Sequence, residues 1–318
     1  MPFLSRKRPE PELAITAAKS SAVQQTGWER REPSATDRAR TRIHAGLIET
    51  CANPNCASGW LHLWRSRGTP VFESGWTCSP ACTCAQLEAG LRREMNGRAN
   101  AVESHRHRIP LGLVMMEQGW ITPAQLRQAL ESQKAAGAGR LGDWLIRQQG
   151  IDESLVTRAL GLQWSCPVLP VESHGAEALT AVMPRLFVDA FGALPLRVAA
   201  GRILYIGFED RLDPVLGLAV ERMTGLRVES GLVQGSQFRA AHAHVLDAAF
   251  PSVQLIEAAS EPVLAHVLAR TIEKKHPVES RLVRVHDCLW LRMWRRPQTG
   301  ALPEIAAIED VICSIGAH

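Results

Sequence analysis

The sequence predicts an α+β fold assembled in layers: a small Cys-rich knuckle, a helical repeat, a compact α/β domain, and a C-terminal helix with a β-hairpin. Three observations predict it. Five of the eight cysteines crowd between Cys51 and Cys84. The stretch 110–133 realigns with 140–163 at an offset of thirty residues. From about residue 164, short apolar strands alternate with capped helices. With 318 residues, 46% hydrophobic and 21% charged, the chain has material for two or three domains and a substantial core.

Residues 1–45 are rich in Arg, Ser, Thr, Pro and Glu, lack periodicity, and read as a disordered basic arm. Their nine basic and five acidic groups account for the whole net charge of +4, so the rest of the chain is balanced. A balanced body lacks the basic surface of a duplex-binding module, and no duplex nucleic acid is expected as partner. The arm is read as solvated rather than as a nucleic-acid or membrane contact. No run approaches the ~18 apolar residues of a membrane span. A polar stretch follows Arg6, Lys7 and Arg8, where a signal peptide would carry its apolar core. Cysteines this sparse do not make a disulfide scaffold, and the expected location is cytoplasmic.

Residues 46–90 carry the first candidate site. Cys51-x4-Cys56 and Cys78-x3-Cys82 are two pairs separated by 21 residues, with Cys84 left over. Two such knuckles bring four thiolates together, the ligand set of a closed tetrahedral zinc site, structural rather than catalytic. Pro54 and Pro80, with Gly59 and Gly75 nearby, suit sharp turns. Trp60, Trp64 and Trp76 offer a small core for a metal to nucleate. The plain alternative is five incidental thiols; His62 is a substitute ligand by residue type. Arg and His dominate 91–108, a linker or helix start.

The repeat spans 109–163. Identities fall at Leu111/Leu141, Gly112/Gly142, Gln118/Gln148, Ile121/Ile151, Ala129/Ala159, Leu130/Leu160 and Gln133/Gln163. That is seven of 24 positions, against about two expected by composition. Each unit reads as a short helix, a turn at Gly119 or Gly150, and a second helix. Thr122-Pro123 and Asp152 supply the caps. Leu, Ile and Ala at helical spacing are explained by core packing alone.

In 164–250, Val168 to Val171 reads as a short strand, and Leu194 to Val198 with Ile203 to Phe208 as a hairpin. Asp213-Pro214 opens a helix closed by Gly225, Leu226 to Val233 is a strand, and Ser236 caps a helix running to about Ala248. In 254–318, a helix covers Glu261 to Lys275. Two strands between Arg281 and Trp294 turn at His286-Asp287. Arg292, Trp290 and Trp294 in that hairpin suggest either nucleobase stacking or, preferred here, a solvated face with aromatics packed on the neighbouring helix. His105-x-His107 and His242-x-His244 are not read as metal pairs, because i and i+2 do not share a helix face. Cys166, Cys288 and Cys313 are read as buried small apolar residues.

Leu111-Gly112, Gly119-Trp120-Ile121-Thr122, Gln125-Leu126, Ala129-Leu130 and Gln133 resemble the N-terminal (GspE- or MshEN-like) domain of the type II secretion and type IV pilus-assembly ATPases. The second copy, Arg140-Leu141-Gly142 through Ala159-Leu160 and Gln163, resembles that domain's paired motif more closely. The likeness continues through Cys166-Pro167-Val168, Leu194 to Arg197, Asp213-Pro214 and Thr224-Gly225, covering about 109–250. Arg281 to Arg296 resembles a worn copy of the hairpin that begins the ATPase module. The sequence contains no G-x-x-x-x-G-K-[ST], H-E-x-x-H or G-x-S-x-G, so no catalytic function is expected. Gly137, Gly139 and Gly142 match G-x-G-x-x-G but follow a helical stretch instead of the strand a dinucleotide fold needs.

Without catalytic motifs the chain reads as a non-catalytic adaptor or regulator, and the resemblance implies docking on secretion or pilus platform proteins. In one branch of the family the paired motif binds cyclic di-GMP. An Arg before Leu-Gly can pair with a guanine edge or stack on its face, and Gly admits phosphate to backbone N–H groups. Leu covers the base planes, and a terminal Gln bonds a base edge. The implied residues are Arg140, Leu141, Gly142, Leu145 and Gln163 in the second copy, and Leu111, Gly112 and Gln133 in the first. There Pro110 stands in place of Arg, and Arg108 lies two residues upstream. The alternative is a zinc-stabilised interaction scaffold that binds no nucleotide.

Overall fold

The computed structural model describes residues 51–56, 70–73, 75–97, 109–171 and 179–316. The expectations for the basic arm, Gly59, Trp60, His62, Trp64, His105, His107 and Arg108 lie outside the described residues.

The Cys-rich segment builds a turn at 51–56 and a minimal antiparallel pair, β1 (Val71–Phe72) and β2 (Gly75–Trp76), followed by helix α1 (Pro80–Asn96). Ser79 starts that helix: its backbone is extended, its Oγ accepts from Cys82 N at 3.3 Å, and Pro80 fills the first position, where no N–H is needed. Leu87 and Leu91 on the inner face are wholly buried.

Four helices follow in two copies of one plan: α2 (Leu111–Glu117), α3 (Pro123–Ala136), α4 (Leu141–Gln149) and α5 (Glu153–Trp164). Thr122 and Gln125 form a reciprocal capping box, and Asp152 Oδ1 accepts from Ser154 N at 2.7 Å. Gly137 and Gly150 take left-handed conformations that end α3 and α4. The equivalent pairs Met115/Leu145 and Ala129/Ala159 are all at 0% exposure, so the two copies share one core.

The α/β lobe contains α6 (Arg185–Ala190), β3 (Leu194–Ala199), β4 (Ile203–Phe208), α7 (Pro214–Thr224), β5 (Arg227–Leu232) and α8 (Gly235–Leu246). Strands β3 and β4 are antiparallel, with a register shift between Pro195 and Arg197; β4 and β5 are parallel. The strand expected at Val168 to Val171 reduces to a single bridge between Val168 and Leu232, since prolines at 167 and 170 remove ladder donors on both sides. Ser236 is not the cap of α8: Gln234 holds that position, and Ser236 turns instead to Glu153.

The C-terminal layer is a four-stranded sheet of β6 (Ser252–Ala258), β7 (Glu279–Val285), β8 (Cys288–Trp294) and β9 (Ile308–Ile315), in the order β6-β9-β8-β7. Helix α9 (Glu261–Lys275) connects β6 to β7. One face of the sheet packs Leu282, Leu289, Leu291 and Val311 against α1 and α9; the other turns Val283, Val285, Trp290 and Ile312 into the core of the α/β lobe. The hairpin is therefore covered on both sides. The solvated-face reading is corrected at Arg292, which is buried and paired with Asp310 on β9; Trp290 and Trp294 are packed away from solvent as expected, in the core of the α/β lobe.

Candidate functional site

The cysteine cluster is built from three chain segments. Cys51 and Cys56 flank a tight turn in which Cys56 N donates to Asn53 O (3.0 Å) and Asn55 N to Asn53 Oδ1 (3.0 Å). Ala52 N donates to Trp76 O at 2.8 Å, and Gln86 Nε2 to Ala52 O at 2.9 Å, which fixes the turn against β2 and α1. Cys78 follows β2, and Cys82 sits in the first turn of α1. The four Sγ atoms of Cys51, Cys56, Cys78 and Cys82 lie within 4.8 Å of one another. Cys78 Sγ is 3.4 Å from Cys56 Sγ and 3.7 Å from Cys82 Sγ.

A metal–sulfur bond of about 2.3 Å in a regular tetrahedron gives sulfur–sulfur edges of about 3.8 Å. The two edges from Cys78 are close to this and the others do not exceed 4.8 Å, so these four residues could hold a metal ion. Cys78 N donates to Cys51 Sγ (3.4 Å) and Asn53 Nδ2 to Cys82 Sγ (3.3 Å). Such second partners orient ligands and favour the thiolate. Burial acts the other way. It pushes the Cys78 thiol up to about 12, helped by hydrogen bonds from Cys56, Cys82 and Cys51, and raises Cys51 as well. Only a cation inside the cluster reverses that balance, because a coordinated thiol ionises.

Trp76 is buried beside the cluster, as the small-core expectation requires. Cys84 does not join it. Its Sγ points to His266 Nδ1 (3.6 Å) and Glu88 Oε1 (3.9 Å). None of the eight cysteines is in a disulfide. His242 Nε2 lies 2.9 Å from Val188 O, and its ring stacks on Phe238. Cys313 is buried as expected, whereas Cys166 and Cys288 are only half-buried.

The second candidate site is the repeat. Gln133 Nε2 donates to Gly139 O at 2.8 Å, and Gln163 Nε2 donates to Ile109 O at 2.6 Å. Positions 109 and 139 are themselves repeat equivalents, so each glutamine anchors the residue that leads into the other copy. The arrangement is a local pseudo-two-fold. Arg140 is the N-cap residue of α4, makes no side-chain cap, and is ion-paired with Asp210. Pro110 holds the equivalent place at α2.

Two sequence-based roles change. Leu145 is wholly buried in the helical core and presents no surface to a base. Gly112 and Gly142 are buried because a Cβ there would meet Leu126 Cδ1 at 2.5 Å and Val156 Cγ1 at 2.8 Å. Helix packing alone accounts for them. Leu111 and Leu141 are half-buried, whereas Arg140 is exposed. Gly137 ends a helix and Gly139 (φ +93°) packs under Trp144, so the G-x-G-x-x-G spacing is turn geometry after α3.

Residue-level reading missed one feature. An open cavity of about 470 Å³ lies beside the repeat, where the guanidinium of Arg158 sits 5.1 Å from the centre of the Trp120 ring. Arg158 and Trp120 are 38 positions apart, and no local motif joins them.

No helix among the described residues is long and apolar enough to cross a membrane. No protein-family model and no curated protein matches the chain. Among solved structures it is similar to that of MshE with cdg, at 26% identity over 43% of this chain and 99% of that one, with a TM-score of 0.35. It is also similar to the N-terminal domain of XpsE in two crystal structures. One is 17% identical over 42% of this chain and 91% of that one (TM-score 0.28); the other is 18% identical over 42% and 92% (TM-score 0.23). Each of these likenesses covers less than half of this chain.

Proposed function

We propose that the chain is a cytoplasmic, non-catalytic adaptor whose cysteine cluster holds a structural zinc ion. The observation that carries the metal is the set of four sulfurs within 4.8 Å of one another, two of whose edges, 3.4 and 3.7 Å, are near those of a zinc–thiolate tetrahedron. All four ligands come from the protein, so no position is left for substrate. The ion ties the turn at 51–56 to β2 and α1, and α1 in turn packs on α9 and β7. Elemental analysis of protein purified without chelator tests this: one zinc per chain is expected, and clearly substoichiometric zinc rejects it.

A second reading gives the adaptor a ligand, cyclic di-GMP, at the repeat. It is favoured by the pseudo-two-fold defined by Gln133 and Gln163, because a two-fold cyclic dinucleotide matches a two-fold receptor. Arg140 offers the guanidinium, exposed but ion-paired with Asp210, which a guanine edge would displace; Pro110 gives the first copy none. Isothermal titration should show binding that Arg140→Ala weakens at least about tenfold. Absence of heat, or an unchanged Arg140→Ala isotherm, rejects it. The protein partner in either reading is a secretion or pilus platform component.

A further inference from the structure

The pseudo-two-fold provides an internal control on surface chemistry. The cavity beside the repeat is lined by Gln118, Trp120, Arg158, Leu162, Cys166 and Val168, among others. Leu162 is 54% exposed and Val168 42% exposed. Arg158 rests on Trp120, and no carboxylate among the described residues lies within ion-pair distance of it. Trp120 comes from the first copy and Arg158 and Leu162 from the second; under the pseudo-two-fold, the equivalent surface carries Gly150 for Trp120, Gln128 for Arg158 and Ser132 for Leu162. That surface is built on the same helices with small or neutral polar residues in these places. Helical packing therefore does not require an aromatic, a cation and an exposed leucine at these positions; only one of the two equivalent surfaces has them.

We propose that this groove docks an acidic, leucine-bearing segment of a partner protein. Apolar side chains of the segment cover Leu162 and Val168, removing exposed hydrocarbon from water. A carboxylate of the segment meets Arg158, whose exposed guanidinium sits 5.1 Å from the centre of the Trp120 ring. Charge complementarity chooses the partner: a segment with lysine at that point is repelled. The arm of residues 1–45 is net basic, the wrong sign for Arg158. The proposal rests on the adaptor reading in needing a protein partner, and needs neither zinc nor nucleotide.

The test uses the full chain and two labelled amphipathic peptides, each with two leucines one helical turn apart. One carries a glutamate on the same face, and its twin carries lysine there. Fluorescence anisotropy should show the glutamate peptide binding at least about tenfold tighter than its twin. Leu162→Ser should abolish most of the binding, and Arg158→Gln should erase the difference between peptides. Both substitutions install the other copy's residue, so the fold is retained, which the thermal melt checks. Failure of the glutamate peptide to bind, equal binding of the two, or binding indifferent to Leu162→Ser overturns the proposal. A dimer in sedimentation that Leu162→Ser dissociates also overturns it, assigning the groove to a second copy. Zinc content and cyclic di-GMP titration of the same variants stay at wild-type values, so failure here is distinguishable from failure of the adaptor's metal or nucleotide.

Discussion

Arg292 on β8 and Asp310 on β9 face each other as a two-pronged ion pair sealed between the C-terminal sheet and the α/β lobe. Nε donates to Oδ1 at 2.7 Å and Nη2 to Oδ2 at 2.8 Å, and both side chains are fully buried. Trp290 Nε1 gives a third donor to Oδ1 at 2.8 Å, and Arg292 Nη1 bonds the carbonyls of Ala181 (2.7 Å) and Val182 (3.0 Å). Every charge-bearing atom taken out of water is thus satisfied, which is what makes burial of such a pair tolerable. The pair also fixes residues 181–182 of the lobe to the sheet.

Removing one partner leaves the other charge buried alone. Asp310→Ala should cost about 3–5 kcal/mol in urea unfolding. The double variant Arg292→Met/Asp310→Leu, which leaves no charge behind, should cost clearly less. If single and double variants were equally destabilised, the pair's own attraction would be a minor part of the effect.

The same pair shows why the tail was only half legible. Helix α9 was readable from residue 261 to 275 because Leu264, Leu268 and Ile272 repeat at helical spacing and Pro262 marks the first turn. Strand β9, Ile-Glu-Asp-Val-Ile-Cys-Ser-Ile, is covered on both faces and places Asp310 inside, so it shows no alternation. A strand with its acid buried is readable only once the partner Arg292 is known, eighteen residues earlier. Caps are local, and the repeat's turns at Gly119 and Gly150 could be placed from sequence for that reason. The cysteine pairs were legible by spacing, which left Cys84 over; the structure shows where its sulfur goes, against His266.

Glu94 near the end of α1 gives a pH prediction. Burial pushes its carboxyl up. Hydrogen bonds and charge from Arg222 (2.6 and 2.9 Å), a bond from Arg93, and Arg284 N together outweigh that and hold it below the usual glutamate value. A carboxyl lowered in the folded state binds fewer protons than in the unfolded chain, so its contribution is complete above the usual glutamate pKa. It is lost as pH falls through the lowered value. Glu309, where burial is outweighed by Lys275 and Arg295, adds in the same direction. Glu94→Gln should therefore lower stability at pH 7 and flatten the acid limb of the stability–pH curve. An acid limb as steep as in wild type would refute the assignment.

Metal dependence separates the four cluster cysteines from the fifth. Cys82→Ser should lose zinc and lower the melting temperature, and chelation of wild-type protein should reproduce the shift. Cys84→Ala should keep a full complement of zinc, since its sulfur lies against His266 and Glu88. Elemental analysis and thermal melts of the three samples decide the matter, and zinc loss in Cys84→Ala would mean that the ligand set is wrong.

The two repeat glycines should respond differently to the same substitution. At Gly112 an added methyl meets the tip of Leu126, an unbranched-at-Cβ side chain that can change rotamer. At Gly142 it meets Cγ1 of Val156, a β-branched side chain locked by its own helix and buried in the shared core. Alanine also gains up to about 1 kcal/mol of helix propensity over glycine, less this close to a helix start. For Gly112→Ala the gain and the clash should nearly cancel, leaving stability within about 0.5 kcal/mol of wild type. For Gly142→Ala overpacking should dominate, destabilising by about 1–2 kcal/mol. Val156→Ala in the Gly142→Ala background should recover part of that loss by removing the obstructing methyl, a coupling that a double-mutant cycle measures directly. Additive losses in that cycle would show that Gly142 is conserved in the repeat's plan by something other than its contact with Val156.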